Sequence, residues 1–150
     1  MTQPFPEHPQ LIGNFAPLRM ECDVADLVIR GELPKDLNGS YYRIGPDPQY
    51  PPLGQYHWFG GDGMVHGFHL ENGRASYRNR WVRTEKWAIE RAANESLINP
   101  LDPRHSDPAA HAKATDGVAN TNILWHGDRL LALEEQHAPF ALDPLTLESQ

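Results

Sequence analysis

Cysteine and long apolar runs are both scarce in this sequence. Cys22 is the single cysteine, so no disulfide can form within the chain, and a reducing cytoplasm suits it. The longest apolar runs cover a few residues, far fewer than the roughly 20 that cross a bilayer. The first residues do not combine a basic start with an apolar stretch, so we identify no export signal. We therefore expect a soluble, cytoplasmic chain without a transmembrane segment, whose contact with a membrane is peripheral at most.

Basic charge is also scarce. The 150 residues include 13 Lys and Arg against 20 Asp and Glu, which gives a formal net charge of -7, and no run of basic residues. Proteins that bind nucleic acids need a basic surface that displaces counterions from the phosphates. The phosphate-binding loop, the dinucleotide fingerprint and the Gly-x-Ser-x-Gly motif are absent as well. The sequence therefore argues against a nucleic-acid partner and offers no motif for nucleotide binding or serine hydrolysis.

Turn-forming residues are abundant instead. The chain has 12 glycines and 14 prolines spread along its length, which indicates frequent turns and short strands. Asn72-Gly73 separates strand-like segments at 64–70 and 74–84, and Asn-Gly between strands is the strongest short-range signal of a hairpin. A second pattern of strand, turn and strand runs through residues 118–142.

The remaining segments are irregular or helical. Residues 1–17 are rich in proline, and we interpret them as an arm on the surface. Residues 24–29 alternate weakly and predict an edge strand. Residues 85–97 have few β-branched side chains and predict one helix of about three turns. Residues 98–117 are predicted to form a long polar loop.

Two units of strand, turn and strand joined by irregular connections are typical of β-propeller blades, which have about four strands in some 40 to 50 residues each. A closed ring of such blades needs more residues than this chain has. We therefore predict an all-β fold of two to three propeller blades, with one short helix and long loops. Residues 1–17 are then the surface arm, residues 18–150 form an incomplete propeller, and the chain is a fragment of a longer protein.

The most distinctive motif is WFGGDGMVHGF at residues 58–68, a glycine-rich turn that leads into a strand. Gly61, Asp62 and Gly63 predict a tight turn, in which the aspartate accepts hydrogen bonds from backbone amides and the glycines take positive φ. A calcium loop is a poor alternative, because its repeated acidic spacing and its distal glutamate are absent.

This motif resembles the signature of the carotenoid cleavage oxygenase family, which includes retinal pigment epithelial membrane protein and the lignostilbene dioxygenases. Four more blocks resemble family blocks and follow the family's order: GELPKDLNGSYYRIGP at 31–46, YRNRWVRT at 77–84, ANTN at 119–122 and LDPLTLE at 142–148. Gly60 is a departure, because the family commonly has aspartate there. Family members are longer, so the chain resembles their amino-terminal portion only.

The resemblance implies a seven-bladed propeller in which four histidines bind non-haem Fe(II), and a reaction with O2 that cleaves a conjugated double bond into two carbonyl products. The expected partners are a hydrophobic alkene and O2. The family's iron-ligating histidines lie beyond the matched portion, so we assign no catalytic residue and no metal ligand and expect the fragment alone to be inactive. The alternative is a stand-alone chain with a binding or regulatory role, which pairs through an uncovered propeller edge.

Three residues are candidates for the site. Counted back from Asp143-Pro144, Glu135 falls where the family has a glutamate that hydrogen-bonds an iron-ligating histidine, and such an acceptor fixes the imidazole tautomer. A solvated carboxylate at a strand end is the simpler alternative. Phe59 and Glu134 are candidates for the substrate pocket.

The pocket positions bear on the choice of substrate. Stilbene-cleaving relatives resemble this chain but have a lysine in place of Glu134 and a tyrosine near Leu101, which bind the phenol of their substrate. The absence of both favours a carotenoid or apocarotenoid over a phenolic stilbene or an isoeugenol-type substrate. Phe59 matches a phenylalanine in the pocket of these relatives, although core packing explains it equally well.

His57, His66 and His69 come closest to a metal-binding cluster. On a strand, His66 and His69 point to opposite faces, so they do not converge on one ion. We interpret all three as hydrogen-bonding or surface groups. For His105 and His111, which have acidic neighbours in the polar loop, a metal site is likewise the less favoured interpretation.

Overall fold

The structure, a computed structural model, describes residues 3–150 and contains two antiparallel β-sheets. The first sheet has four strands: β1 (Cys22–Val24), β2 (Gly39–Pro46), β3 (Gly63–Glu71) and β4 (Arg74–Trp81). Their order in space is β1-β4-β3-β2. The second sheet has three strands in chain order: β5 (Asn122–His126), β6 (Arg129–Leu133) and β7 (Phe140–Leu142). The prediction of an all-β chain is confirmed.

Tight turns connect the central strands of both sheets. Asn72 and Gly73 join β3 to β4 with φ of 51° and 78°, the left-handed pair that a type I′ turn requires. Gly127 and Asp128 join β5 to β6 in the same way, with φ of 57° and 58°. Both predicted units of strand, turn and strand are therefore present.

The edge strand β1 lies earlier than predicted, at Cys22–Val24 instead of residues 24–29. Asn79 in β4 fixes its position, because the Asn79 side chain accepts a hydrogen bond from Cys22 N at 2.8 Å and donates one to Met20 O at 2.7 Å. Asn79 is fully buried. The weak alternation at 24–29 gives no information about these hydrogen bonds, because Asn79 is distant in sequence. The prediction therefore misplaced the strand.

Two α-helices lie in the connection between the sheets, so the prediction of one helix is wrong. Helix α1 (Glu85–Ala93) starts at Thr84, whose side chain caps it, and ends at Asn94 with φ of 59°, short of the predicted residue 97. Helix α2 (Pro108–His111) interrupts the predicted polar loop, because Asp107 accepts hydrogen bonds from amides of its first turn. Within residues 3–150, neither helix has the length and apolar character needed to cross a membrane.

The core lies between the two sheets. It consists of buried apolar side chains from both sheets and from the segments that follow them: Val65, Val82, Ala119, Leu130, Ala132, Leu142 and Leu147. Tyr42 adds a polar contact, because its hydroxyl donates to Pro144 O at 2.7 Å. Removal of this apolar surface from water is the main force that holds the sheets together.

The chain turns back after β7. Asp143 accepts hydrogen bonds from the amides of Thr146 and Leu145, at 2.7 and 2.8 Å, and these bonds lower the pKa of its carboxyl group. Gln150 N then donates to Ala141 O at 2.9 Å. The residues after the turn therefore begin to pair with β7 as a further antiparallel partner.

Candidate functional site

The glycine-rich motif at residues 58–68 forms a single 3-10 turn that leads into β3. The turn spans Trp58–Gly60 and starts at His57, whose Nδ1 accepts a hydrogen bond from Phe59 N at 3.2 Å. Phe59 is 58% exposed. The turn therefore presents this aromatic side chain at the surface of the first sheet.

Asp62 is the buried centre of the motif. One carboxylate oxygen accepts a hydrogen bond from Gln49 N at 3.0 Å, and the other binds Lys86 Nζ at 2.8 Å. Lys86 Nζ also binds Glu90 Oε2 at 2.8 Å, so two anions share one cation. All three side chains are buried. Charges at this depth are tolerated only when they are paired and hydrogen-bonded, so each member of this triad depends on the others.

Glu90 extends the triad to the chain beyond α1. Its Oε1 accepts hydrogen bonds from Leu97 N and Ile98 N, both at 2.9 Å. Burial acts to lower the pKa of Lys86, but the carboxylates of Asp62 and Glu90 outweigh burial and raise it. Lys86 therefore stays protonated, and the triad fixes the motif against α1.

Sequence reasoning missed this triad. A lysine and a glutamate four residues apart in a predicted helix, Lys86 and Glu90, were the available signal for the local pair. The third member, Asp62, lies 24 positions before Lys86, and no local pattern connects them.

The glycines of the motif serve close packing and not turn geometry. Gly61 has φ of -78°, and Gly63 also lies outside the left-handed region, so the predicted positive φ is wrong. A Cβ atom on Gly63 would lie 2.0 Å from Ala119 O, and one on Gly61 would lie 2.6 Å from Tyr56 Oη. Glycine is required because neighbouring groups approach the backbone too closely for any side chain.

A cavity of about 410 Å³ opens beside the motif. Apolar side chains from the arm, β2 and the turn line it: Phe15, Leu18, Ile44, Trp58 and Phe59. Seven polar or charged residues complete the lining: Gln10, Asn14, Arg43, Asp47, His66, Asn120 and Thr121. The rings of Phe15 and Trp58 meet edge to face, with centroids 5.4 Å apart. The apolar part of this lining can bind a hydrophobic ligand, and the polar groups can orient it.

Gln10, Asn14, Phe15 and Ala16 of the predicted arm line this cavity, and residues 1 and 2 lie outside the described part of the chain. Gln10 Oε1 accepts a hydrogen bond from Trp58 N at 3.2 Å. Asp47 holds the end of the arm, since its carboxylate accepts a hydrogen bond from Leu18 N at 2.8 Å. Burial raises the pKa of Asp47. The arm is therefore one wall of the cavity.

The three histidines considered for a metal make separate hydrogen bonds. His66 Nδ1 lies 2.7 Å from Tyr77 Oη, and burial lowers the pKa of His66, which keeps its imidazole neutral at neutral pH. His69 Nδ1 lies 3.0 Å from Ser40 Oγ. His57 caps the 3-10 turn. Within residues 3–150, no group of three or more His, Cys, Asp or Glu side chains is placed to hold a metal ion.

The two glutamates after β6 have different surroundings. Glu135 is exposed, and its Oε2 lies 3.4 Å from Thr121 Oγ1, which belongs to the cavity wall. Glu134 accepts a hydrogen bond from Val118 N at 3.0 Å and is not among the residues that line the cavity. The structure thus brings Phe59 and, through Thr121, Glu135 to one cavity and leaves Glu134 outside it.

Known sequences match this chain along most of its length. The family model described as Retinal pigment epithelial membrane protein matches residues 15–150. Resveratrol cleavage oxygenase 1 of Aspergillus fumigatus is 42% identical over 100% of the chain, and Isoeugenol monooxygenase of Pseudomonas nitroreducens is 39% identical over 95%. Carotenoid 9,10(9',10')-cleavage dioxygenase 1 of Pisum sativum is 39% identical over 90%. The chain covers 30%, 30% and 28% of these three relatives, respectively.

Solved structures match the fold. Lignostilbene dioxygenase of Pseudomonas brassicacearum superimposes with a TM-score of 0.91 at 41% identity, over 99% of this chain and 31% of that protein. The cobalt-substituted apocarotenoid oxygenase of Synechocystis superimposes with a TM-score of 0.70 at 35% identity, over 89% of this chain and 29% of that protein. The chain therefore spans about 30% of the length of the relatives it matches.

Replacement of Gly63 by alanine is expected to destabilise the fold by about 3 kcal/mol, because the added methyl group meets backbone that has no room to yield. Gly45→Ala is the matched control, since a Cβ atom there would lie 3.9 Å from its nearest neighbour, Arg43 Nη2. We expect that control to change the free energy of unfolding by less than about 1 kcal/mol. Urea unfolding of both variants measures the difference. Equal stabilities would contradict the close approach at Gly63.

Lys86→Met is expected to lower the free energy of unfolding by about 3–5 kcal/mol, because it leaves two buried carboxylates without their cation. Lys113→Met makes the same chemical change at an exposed position, where we expect an effect within about 0.5 kcal/mol. Guanidinium unfolding of both variants provides the comparison. A Lys86→Met variant as stable as Lys113→Met would show that the triad contributes nothing to stability.

Proposed function

Because the chain belongs to the retinal pigment epithelial membrane protein family, the carotenoid oxygenases, we propose that it forms part of an enzyme that cleaves a conjugated double bond with O2 into two carbonyl products. The observation that carries this proposal is the match to cleavage oxygenases along the whole chain, in sequence and in fold. The activity is proposed for a complete protein of the relatives' length, of which this chain is one portion, and we expect this portion alone to be inactive.

We propose that the two sheets are neighbouring blades of a seven-bladed propeller. The first sheet has four strands, and the second gains a fourth partner where Gln150 pairs with β7. The edge strands β2 and β5 contact each other, which is the arrangement expected of the innermost strands of adjacent blades. The rest of a complete protein would supply the other blades.

The cavity supports a hydrophobic alkene as the substrate. Phe15, Trp58 and Phe59 give it an aromatic wall, and such a wall can contact a flat conjugated chain along its length. The polar groups of the lining can orient the substrate, while the apolar wall contacts its hydrocarbon part. In this proposal the protein is cytoplasmic, and its contact with a membrane is peripheral at most.

We propose Fe(II) as the cofactor because the family resemblance implies it. A cobalt-substituted form of a related oxygenase supports a metal-dependent reaction. The side chains of residues 3–150 do not make up a complete set of iron ligands. We therefore propose that Fe(II) is bound by histidines elsewhere in the complete protein, and that Glu135 accepts a hydrogen bond from one of them. Such an acceptor orients the imidazole and raises its basicity.

An apocarotenoid is the substrate that we propose first. Phenol-binding relatives have a lysine where this chain has Glu134 and a tyrosine near Leu101. Here Glu134 binds the backbone of Val118, and Leu101 packs near Gly60, where a Cβ atom would lie 3.6 Å from Leu101 Cγ. Neither side chain offers a cation or a phenol to a substrate hydroxyl group. An apolar end of the substrate is therefore the better fit.

A phenolic stilbene or an isoeugenol-type compound is the second candidate. The observation that favours it is similarity: relatives named for resveratrol and isoeugenol match at 42% and 39% identity, and the lignostilbene dioxygenase superimposes with a TM-score of 0.91. The corresponding score for the apocarotenoid oxygenase is 0.70. The two substrate classes are separated by direct assay.

The full-length protein, loaded with Fe(II), is expected to consume one O2 per double bond and to release two carbonyl products from an apocarotenoid. Oxygen uptake and chromatography of the products measure this reaction, with resveratrol and isoeugenol as parallel substrates. If only the phenolic compounds are turned over, the substrate is the second candidate, a phenolic stilbene or an isoeugenol-type compound. An absence of turnover with every substrate, in protein that retains iron, would favour a binding or regulatory role instead.

Glu135→Gln in the full-length protein is expected to weaken iron binding by about 10- to 100-fold, because a neutral amide is a weaker acceptor for the ligating imidazole. Glu148→Gln is the matched control, an exposed glutamate in the turn after β7. Iron retained after dialysis against a chelator gives the affinity without any assay of turnover. Equal retention in the two variants would contradict the role proposed for Glu135.

A further inference from the structure

Asn120 connects the turn that carries Phe59 to the second sheet. It is 4% exposed, and its Nδ2 lies 2.6 Å from Gly61 O, 3.1 Å from Phe59 O and 3.2 Å from Trp58 O. An amide nitrogen has two protons, so one serves Gly61 and the other is shared between the two neighbouring carbonyl groups. One side chain from the segment before β5 therefore holds three carbonyl groups of the motif.

Thr121 continues this connection towards Glu135. Its hydroxyl lies 3.0 Å from Asn120 Oδ1 and 3.4 Å from Glu135 Oε2. Both partners are acceptors and the hydroxyl has one proton, so it donates to one of them at a time. Thr121 N donates to Leu133 O at 3.0 Å, which fixes the residue beside the end of β6. The Thr121 hydroxyl thus lies between Glu135 and Asn120, which are alternative acceptors for its proton.

The position of the Phe59 side chain is set mainly by the backbone of the turn, because the ring itself has few packing contacts. Its side chain is 58% exposed, and within residues 3–150 the aromatic ring that packs against it belongs to His57. Phe59 N donates to the same histidine. These contacts are local and move with the turn. The bonds from Asn120 to Trp58 O, Phe59 O and Gly61 O join the turn itself to the segment before β5, and the bond from Gly63 N to Val118 O follows at the start of β3.

We propose that Asn120 is a positioning residue, which sets the Phe59 wall of the cavity relative to Glu135 through Thr121. Asn120 lines the cavity, but its N–H groups are directed to the carbonyl groups of the turn, and through them it acts on the wall. A side chain that only stabilised the fold would affect all of the first sheet, whereas a positioning residue affects Phe59 in particular. The consequence for catalysis rests on the proposed function, but the position of Phe59 does not.

A fluorine label reports the position of Phe59 directly. Trifluoromethyl-phenylalanine is placed at position 59 of the full-length protein, and fluorine NMR spectra are recorded with Asn120→Asp and with Asn122→Asp. Asn120→Asp keeps the side-chain shape and removes both N–H donors. Asn122→Asp is the matched control, an exposed residue whose Oδ1 accepts a hydrogen bond from Ile123 N. We expect the resonance to shift or split in Asn120→Asp and to stay in place in Asn122→Asp.

A second label separates positioning from a general loss of structure. The same label at position 68, in β3 of the same sheet, is expected to keep its resonance in Asn120→Asp. A change at both positions, or at neither, overturns the proposal. If Asn120→Asp does not fold, Thr121→Val is used to test the proposal, because it removes the hydroxyl between Asn120 and Glu135. We expect a smaller shift at position 59 in that variant, and an unchanged resonance overturns the proposal.

Kinetics provide an independent measurement. In an active enzyme, Asn120→Asp is expected to raise KM more than it lowers kcat, with an unchanged iron content, because the altered wall contacts the substrate in its ground state. A lower kcat at constant KM overturns the proposal. The fluorine spectra need no turnover, so an inactive protein would refute the proposed function and still test the position of Phe59.

Discussion

The two sheets meet where the backbones of Gly63 and Ala119 pass each other without room for a side chain, and the rest of the structure is arranged around this contact. Gly63 N donates to Val118 O at 2.9 Å, and Asn120 binds the carbonyl groups just before Gly63. A contact between backbones cannot be relieved by a change of rotamer, and close-packed interiors transmit strain. The cavity lies beside this contact, and its lining includes Phe59, which precedes Gly63, and Asn120, which follows Ala119.

The buried triad of Asp62, Lys86 and Glu90 has a complementary role. A different placement of the motif would leave at least one of these charges buried without a partner, which costs far more than a lost apolar contact. Charge pairing therefore favours the observed arrangement of the motif and α1 over any that separates these charges. The signature motif is in this sense a packing and ion-pairing unit that carries an exposed aromatic side chain.

Local patterns predicted a large part of the fold. The Asn72-Gly73 hairpin follows from the conformational preferences of two residues, and the strands around it follow from alternation. The C-terminal end of α1 was misplaced, because the helical pattern does not show that Glu90 accepts hydrogen bonds from Leu97 N and Ile98 N. The start of β1 was misplaced, because Asn79 binds backbone groups that are distant in sequence. In the candidate site, the roles of Phe59 and Glu135 rest on resemblance to a family and stay predictions, and Asn120 was missed because its partners lie about 60 positions away.

The sequence by itself determined the two hairpin turns, the strands beside them and the family, because each depends on residue types within short segments. Tertiary structure alone decided which side chains form the cavity, why Gly61 and Gly63 are glycines, and which cation neutralises Asp62. These features depend on groups that the folded chain brings together from separate segments. Distance in space, which local patterns do not encode, sets their chemistry.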